Sequence, residues 1–213
     1  MVQVKICGVT QPSHVRAAHQ AGAAYCGFVF FDKSPRSLGL EAARALALDT
    51  PVGLAKVALT VDASDAFLDD LTAHVPLDML QLHGHESPQR VRDVKARYGL
   101  PVMKAVGIAD ASDLAELDLY LRVADQILVD AKPPQAAPLP GGNGLSFDWR
   151  LIAGRRWPVP WMLAGGLTTD TVADAIKMTG ATQIDVSSGV ERDRGVKDAD
   201  MIAQFVAAAQ GTT

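Results

Sequence analysis

The sequence predicts an α/β fold, a (β/α)8 TIM barrel of eight parallel strands, with residues 1–213 forming a single domain. Three observations carry this reading. Short apolar segments with little polar alternation recur from end to end, as strands covered on both faces do. Helix-like segments separate them. Eight such pairs in 213 residues average about 27 residues per unit, the scale of a compact barrel. A doubly wound open sheet begins with the same βαβ grammar and is the main rival.

In chain order, VQVKIC at 2–7 is the first strand, ended by Gly8, with a helix over 12–21. The second strand, 25–30, leads through a Ser-Pro-Arg loop to a helix over 40–48. Strand three at 53–59 precedes a helix over 64–73. Strand four, 79–82, runs into Ser87-Pro88, an N-cap followed by proline in the first turn of a helix over 87–98. Val91 and Val94 turn toward the sheet, and Arg90, Arg92 and Lys95 fill its exposed side. Strand five at 102–106 and a helix over 112–121 come next, then strand six at 126–129. Residues 131–144, AKPPQAAPLPGGNG, are the one long irregular segment, placed where a barrel enzyme carries an active-site loop. A helix over 147–152 is weak, with barely two turns before Gly154. Strand seven at 161–164, a helix over 169–179 and strand eight at 183–186 complete the set. In the closing helix, 200–209, Met201, Ile202, Phe205 and Val206 share one face.

Composition narrows the function. A formal net charge of -4 with no Lys/Arg cluster argues against nucleic acid as a partner. No apolar run approaches the length needed to cross a bilayer, and the N-terminus reads as a strand, so no membrane association is expected. Cys7 and Cys26 could form one disulfide in principle, but a chain of this size needs no staple, and a reduced cytoplasmic protein is the simpler assignment.

Two reactive side chains end strands: Cys7 after VQVKI and Asp130 after QILV. In a barrel the C-terminal strand ends converge on one mouth, so these two can face each other across a small substrate. A thiolate and a carboxylic acid so placed suit an enolisation, one taking a proton from carbon and the other protonating an oxygen. Taken singly, each has an ordinary structural use, as buried filler or as a turn residue. Lys5 lies inside the first strand, where its charge must either be paired at the mouth or snorkel to solvent.

Three glycine-bearing loops are candidates for phosphate: Gly141-Gly142-Asn143-Gly144, then Gly165-Gly166 after strand seven, and Ser187-Ser188-Gly189 after strand eight. Glycines let backbone N–H groups approach an anion, and the last two loops hold the order of the recurring phosphate site of such barrels. No Walker sequence occurs and no GxGxxG opens the first βα unit, so no nucleotide cofactor is expected. Arg36, beside Pro35, can grip a carboxylate in bidentate fashion. His83 and His85 have HxH spacing, but no further cluster converges on them and no metal is expected. Gln81 and His83 are placed beside the mouth after strand four, with His83 capping the next helix or touching substrate.

These segments resemble the phosphoribosylanthranilate isomerase family of tryptophan biosynthesis over nearly the whole chain. The resemblance is carried by KICG at 5–8, GFVF at 27–30 with SPRS at 34–37, QLHG at 81–84 and LVDA at 128–131. GNGLSFDW at 142–149, LAGGL at 163–167 and DVSSGVE at 185–191 complete an ordered set. It implies an Amadori rearrangement of N-(5-phosphoribosyl)anthranilate to 1-(2-carboxyphenylamino)-1-deoxyribulose 5-phosphate. Asp130 would be the general acid on the ring oxygen, Cys7 the general base on the C2 proton, and Arg36 the holder of the anthranilate carboxylate. Gly142, Gly144, Gly166, Ser188 and Gly189 lie in the segments that would seat the phosphate. Hydrogen moves within one molecule, so no cofactor is required. A cysteine base needs a lowered pKa, and Lys5 is one conceivable source. Asn143 stands where the family usually has Thr or Ser, an amide replacing a hydroxyl contact. A monomer is expected, with a dimer as the alternative.

Two rivals are weighed. A related phosphosugar barrel of histidine biosynthesis would carry aspartates at the ends of strands one and five, where this chain has Cys7 and Ala105-Val106. A silent barrel that binds a phosphorylated ligand or a protein would need none of the acid, base and anion-grip candidates.

Overall fold

The computed structural model describes residues 1–134 and 139–212. Eight parallel strands close into a barrel in sequence order, β8 pairing with β1. They are β1 (Gln3–Cys7), β2 (Tyr25–Phe30), β3 (Ala55–Thr60), β4 (Met79–Leu82), β5 (Val102–Ile108), β6 (Gln126–Ala131), β7 (Trp161–Leu163) and β8 (Gln183–Val186). Around them lie α1 (Pro12–Gln20), α2 (Leu40–Asp49), α3 (Asp65–His74), α4 (Pro88–Tyr98), α5 (Leu114–Tyr120), α6 (Val172–Thr179) and α7 (Ala199–Gln210). The open-sheet alternative is thereby excluded.

Side-chain alternation divides the strands into two shells. Val4, Ile6, Cys26, Phe28, Leu80, Leu82, Ile127 and Val129 join the main apolar core between strands and helices. The residues between them point into the barrel, where Met103, Ala105, Leu128, Met162 and Ala164 form one cluster and Cys7, Val29 and Leu59 another. The same alternation settles the cysteines. Cys7 and Cys26 sit on adjacent strands but in opposite shells, and both are free thiols.

Local chemistry sets the helix ends. Ser87 Oγ accepts from Arg90 N at 3.2 Å, Pro88 fills the first turn, and Gly99 closes α4 at φ 63°. Strand three begins at Ala55 rather than 53, because Gly53 takes φ +96° in the preceding turn. The helix expected over 112–121 splits, since Asp110 accepts from Ser112 N and winds Ala111–Asp113 into a 3-10 turn before α5. The weak helix over 147–152 is only a 3-10 turn, Trp149–Leu151, capped by Asp148. One element escaped the sequence reading altogether. After β8 a small antiparallel hairpin, β9 (Glu191–Asp193) and β10 (Val196–Lys197), folds over the mouth. Its strands are too short and polar to show apolar alternation. Among the described residues, no helix is long and apolar enough to cross a membrane.

Candidate active site

Most site candidates lie at the end of the barrel to which the strands' C-termini point. Cys7 ends β1, Asp130 lies near the end of β6, and His83 follows β4. Arg36 comes from the loop after β2, and the glycine loops follow β6, β7 and β8. A cavity there is lined by Cys7, Arg36, His83 and Asp130, with Val29, Phe31, Leu59 and Val61 as its apolar wall. Asp130, Gly141, Gly142 and Asp185 are shared with an adjoining groove, which Asn143, Gly144, Gly165, Gly166 and Ser188 also line. The two spaces form one continuous site, apolar with an arginine at one end and glycine-rich at the other. Of the irregular segment 131–144, residues 135–138 lie outside the described residues.

Asp130 is 7% exposed, and its Oδ1 accepts from Ala131 N at 2.8 Å. Its Oδ2 is 3.4 Å from His83 Nε2. Loop backbone crosses close above this carboxyl: a Cβ at position 141 would lie 2.6 Å from Asp130 Oδ2 and 2.8 Å from His83. Glycine is what lets the loop approach the pair. Gly166, at φ +61°, serves the neighbouring loop in the same way, since a Cβ there would lie 2.6 Å from Leu145 O.

Lys5 is fully buried behind Cys7, with Nζ donating to Asp185 Oδ1 at 2.8 Å. Snorkelling is ruled out. Burial by itself would lower its pKa, but Asp185 and Cys7 hold the ammonium above its ordinary value. The expected lowering of the Cys7 pKa does not result. Burial pushes the thiol up, and Lys5 and Lys197 oppose that rise without reversing it. A residue two places along a regular strand does face the same way, as anticipated, but desolvation outweighs its field.

Several predicted residues have places other than the ones expected. Gln81 is buried beneath the mouth, outside both spaces, with Nε2 3.2 Å from His83 Nδ1 and Oε1 lacking a partner among the described residues. His83 therefore caps no helix; Ser87 does that. His85 is 97% exposed at its side chain, so the HxH pair points in two directions. Ser187 Oγ donates to Cys7 O at 3.1 Å and lines the cavity rather than the glycine groove. Gly189 lines neither space, and a Cβ there would collide with Leu167 O, so it lets two loops touch. Asn143 Nδ2 donates to Leu139 O at 2.9 Å, committing the amide to its own loop. Arg36 is 4% exposed, so it is no solvated surface arginine.

Three charged residues went unassigned in the sequence reading: Asp185, Glu191 and Lys197. For Asp185 a signal existed. A buried lysine on β1 of a closed barrel needs an acid on a flanking strand, and β8 contains one. Nothing local marks Lys197.

The sequence pattern of the N-(5'phosphoribosyl)anthranilate (PRA) isomerase family matches residues 4–208. The chain belongs to the PRA isomerase family. The N-(5'-phosphoribosyl)anthranilate isomerase of Cereibacter sphaeroides is 64% identical over 209 residues, 98% of this chain and 99% of that one. The PRA isomerase of Ruegeria sp. is 58% identical, over 98% of each chain. Among solved structures, phosphoribosyl anthranilate isomerase from Thermotoga maritima superposes with TM-score 0.89 at 35% identity, covering 99% of this chain and 100% of that one. A PRA isomerase in complex with reduced 1-(o-carboxyphenylamino)-1-deoxyribulose 5-phosphate gives TM-score 0.86 at 33% identity, with the same coverage.

Proposed function

We propose that this PRA isomerase performs the Amadori rearrangement of N-(5'-phosphoribosyl)anthranilate in tryptophan biosynthesis with Asp130 as general acid and Cys7 as general base. One observation carries the assignment: the thiol and the carboxyl line the same cavity from strands β1 and β6. The substrate phosphate sits in the groove of Gly142, Gly144, Gly165, Gly166 and Ser188, and the aromatic ring lies against the apolar wall with its carboxylate toward Arg36.

Asp130, in its protonated form, gives its proton to the ribose ring oxygen as the bond from C1' to that oxygen breaks. The anilino nitrogen lone pair forms the C1'–N double bond, leaving a cationic Schiff base. Cys7 then removes the C2' proton, and the bonding pair moves into C1'–C2' while the cation is neutralised to an enolamine. Tautomerisation gives the ketone. Burial favours the neutral thiol in the free site, so the cation formed beside it is what favours thiolate at the moment of use. His83 steadies the acid at 3.4 Å. A monomer in a reducing compartment, with the whole chain as one domain, fits this reading.

Turnover of freshly made substrate, followed by loss of anthranilate-type fluorescence, tests it. Cys7→Ser and Asp130→Asn should each lower kcat by about 10²–10⁴-fold, while inorganic phosphate still binds. Near-normal turnover in either variant removes that residue from the mechanism.

A further inference from the structure

The β9–β10 hairpin has no part in the chemistry above, yet it holds a carboxylate with four donors beside the mouth. Glu191 accepts from Arg36 Nε at 2.7 Å and Nη2 at 2.9 Å, from Lys197 Nζ at 2.7 Å and from Gly195 N at 3.0 Å. Four donors match the roughly four lone-pair positions of a carboxylate. Lys197 is as fully committed. Its side chain has no exposure, and its ammonium donates to Glu191, to Ser187 O at 2.9 Å and to Ser187 Oγ at 3.2 Å.

The charges of this cluster do not cancel. Arg36 and Lys197 share the one anion Glu191. Burial pulls the Lys197 pKa below its ordinary value and Glu191 opposes that. With three acceptors around Nζ holding the ammonium form, two positive charges and one negative leave a surplus of one. Arg36 with Glu191 alone would be a neutral pair, a poor attractor for an incoming carboxylate. The side-on bond to Glu191 also decides which edge of the guanidinium stays open. Nε and one Nη2 hydrogen are used, leaving Nη1 and the other Nη2 hydrogen as an end-on fork. That edge lies against Gly142, where a Cβ would come within 2.9 Å of Nη1, and Arg36 lines the cavity there.

We propose that Glu191 and Lys197 are positioning residues for the substrate's carboxylate: Glu191 aims the open edge of Arg36, and Lys197 supplies from behind the unbalanced positive charge. This rests on Arg36 being the carboxylate grip.

The test reads binding rather than turnover, because Lys197 also acts electrostatically on Cys7. Calorimetry would compare reduced 1-(o-carboxyphenylamino)-1-deoxyribulose 5-phosphate with its phenyl counterpart lacking the carboxylate. The ratio of the two Kd values is the carboxylate preference. Lys197→Met should cut it roughly ten- to thirtyfold, the effect of one unit charge acting over about 8–12 Å at an effective dielectric of about 20. Binding of the phenyl probe, which offers that charge no carboxylate, should change by less than the preference does. Glu191→Gln removes one negative charge but keeps an acceptor oxygen for Arg36, so it should raise the preference. Glu191→Ala removes the same charge and the acceptor that aims Arg36, so its preference should fall below that of Glu191→Gln, and an equal preference in the two would refute the aiming role. Lys197→Met combined with Glu191→Gln, which restores the surplus charge, should recover most of the loss. An unchanged preference in Lys197→Met, an equal loss for both probes, or no recovery in the double variant overturns the proposal. Arg36→Met separates the two layers. If it abolishes the preference while Lys197→Met does not, this inference alone fails; if it leaves the preference intact, the carboxylate grip fails too.

Discussion

Replacing Lys5 by methionine keeps the length of the side chain and removes only its charge. The ammonium lies 2.8 Å from Asp185, with side chains 0% and 10% exposed. The variant leaves a nearly buried carboxylate facing a thioether. Breaking a buried pair from one side costs about 3–5 kcal/mol, because the remaining charge keeps its desolvation penalty and loses its compensation. For a chain of this size each kcal/mol moves Tm by about 2–4 °C, so Lys5→Met should melt roughly 6–20 °C lower. Thermal unfolding and urea titration near neutral pH measure this. The double variant Lys5→Met/Asp185→Asn removes both charges and should regain at least half of the loss. A fall below about 3 °C, or a double variant no more stable than the single one, would refute the claim that this pair is held together against its own burial.

Alkylation of Cys7 by iodoacetamide should follow thiolate formation with a midpoint above the ordinary thiol value of about 8.5, because burial raises its pKa. Removing the opposing Lys5 charge should move that midpoint further up; a midpoint below 8 in the free enzyme would contradict this sign. Gly141→Ala sets a methyl 2.6 Å from Asp130 Oδ2, and displacing a catalytic group by about 1 Å lowers kcat by roughly 10²-fold. Its Tm should stay within a few degrees, since the position lies on a loop, and unaltered kcat would show that the loop yields instead. Glu191 is pushed up by burial, but Arg36 and Lys197 outweigh that and hold it at about 2. Its folded pKa is thus below its unfolded value of about 4.3, so its stabilisation is present above pH 4 and lost as pH falls toward 2. Glu191→Gln should flatten that acid limb of the unfolding profile, and an unchanged limb would count against it.

The barrel was legible because its strands are apolar on both faces, a pattern that depends only on being covered by helices. Cys7 and Asp130 were legible as a pair because parallel strands in a closed barrel share one mouth. Ser187 and Gly189 were harder. Residues two apart in one loop part company when the Ser187 hydroxyl turns toward the Cys7 carbonyl and Gly189 meets Leu167. The direction of the Cys7 shift was misread for an energetic reason: spacing reveals the nearby ammonium but not the depth of burial that opposes it. The hairpin was invisible, since its worth lies in buried charges reaching Arg36 from 155 positions away along the chain.

The closing of the barrel also has a temporal side. The thiol and the guanidinium are made within the first 36 residues, the carboxyl at 130, the glycine groove beyond that, and the lysine behind the guanidinium only at 197. During synthesis each earlier fragment carries a buried-charge partner or an anion grip that is still missing its counterpart. A fragment that stops short of residue 197 therefore leaves Glu191 and Arg36 without their third charge, and the mouth takes shape only when β8 and the hairpin come back to the strand made first.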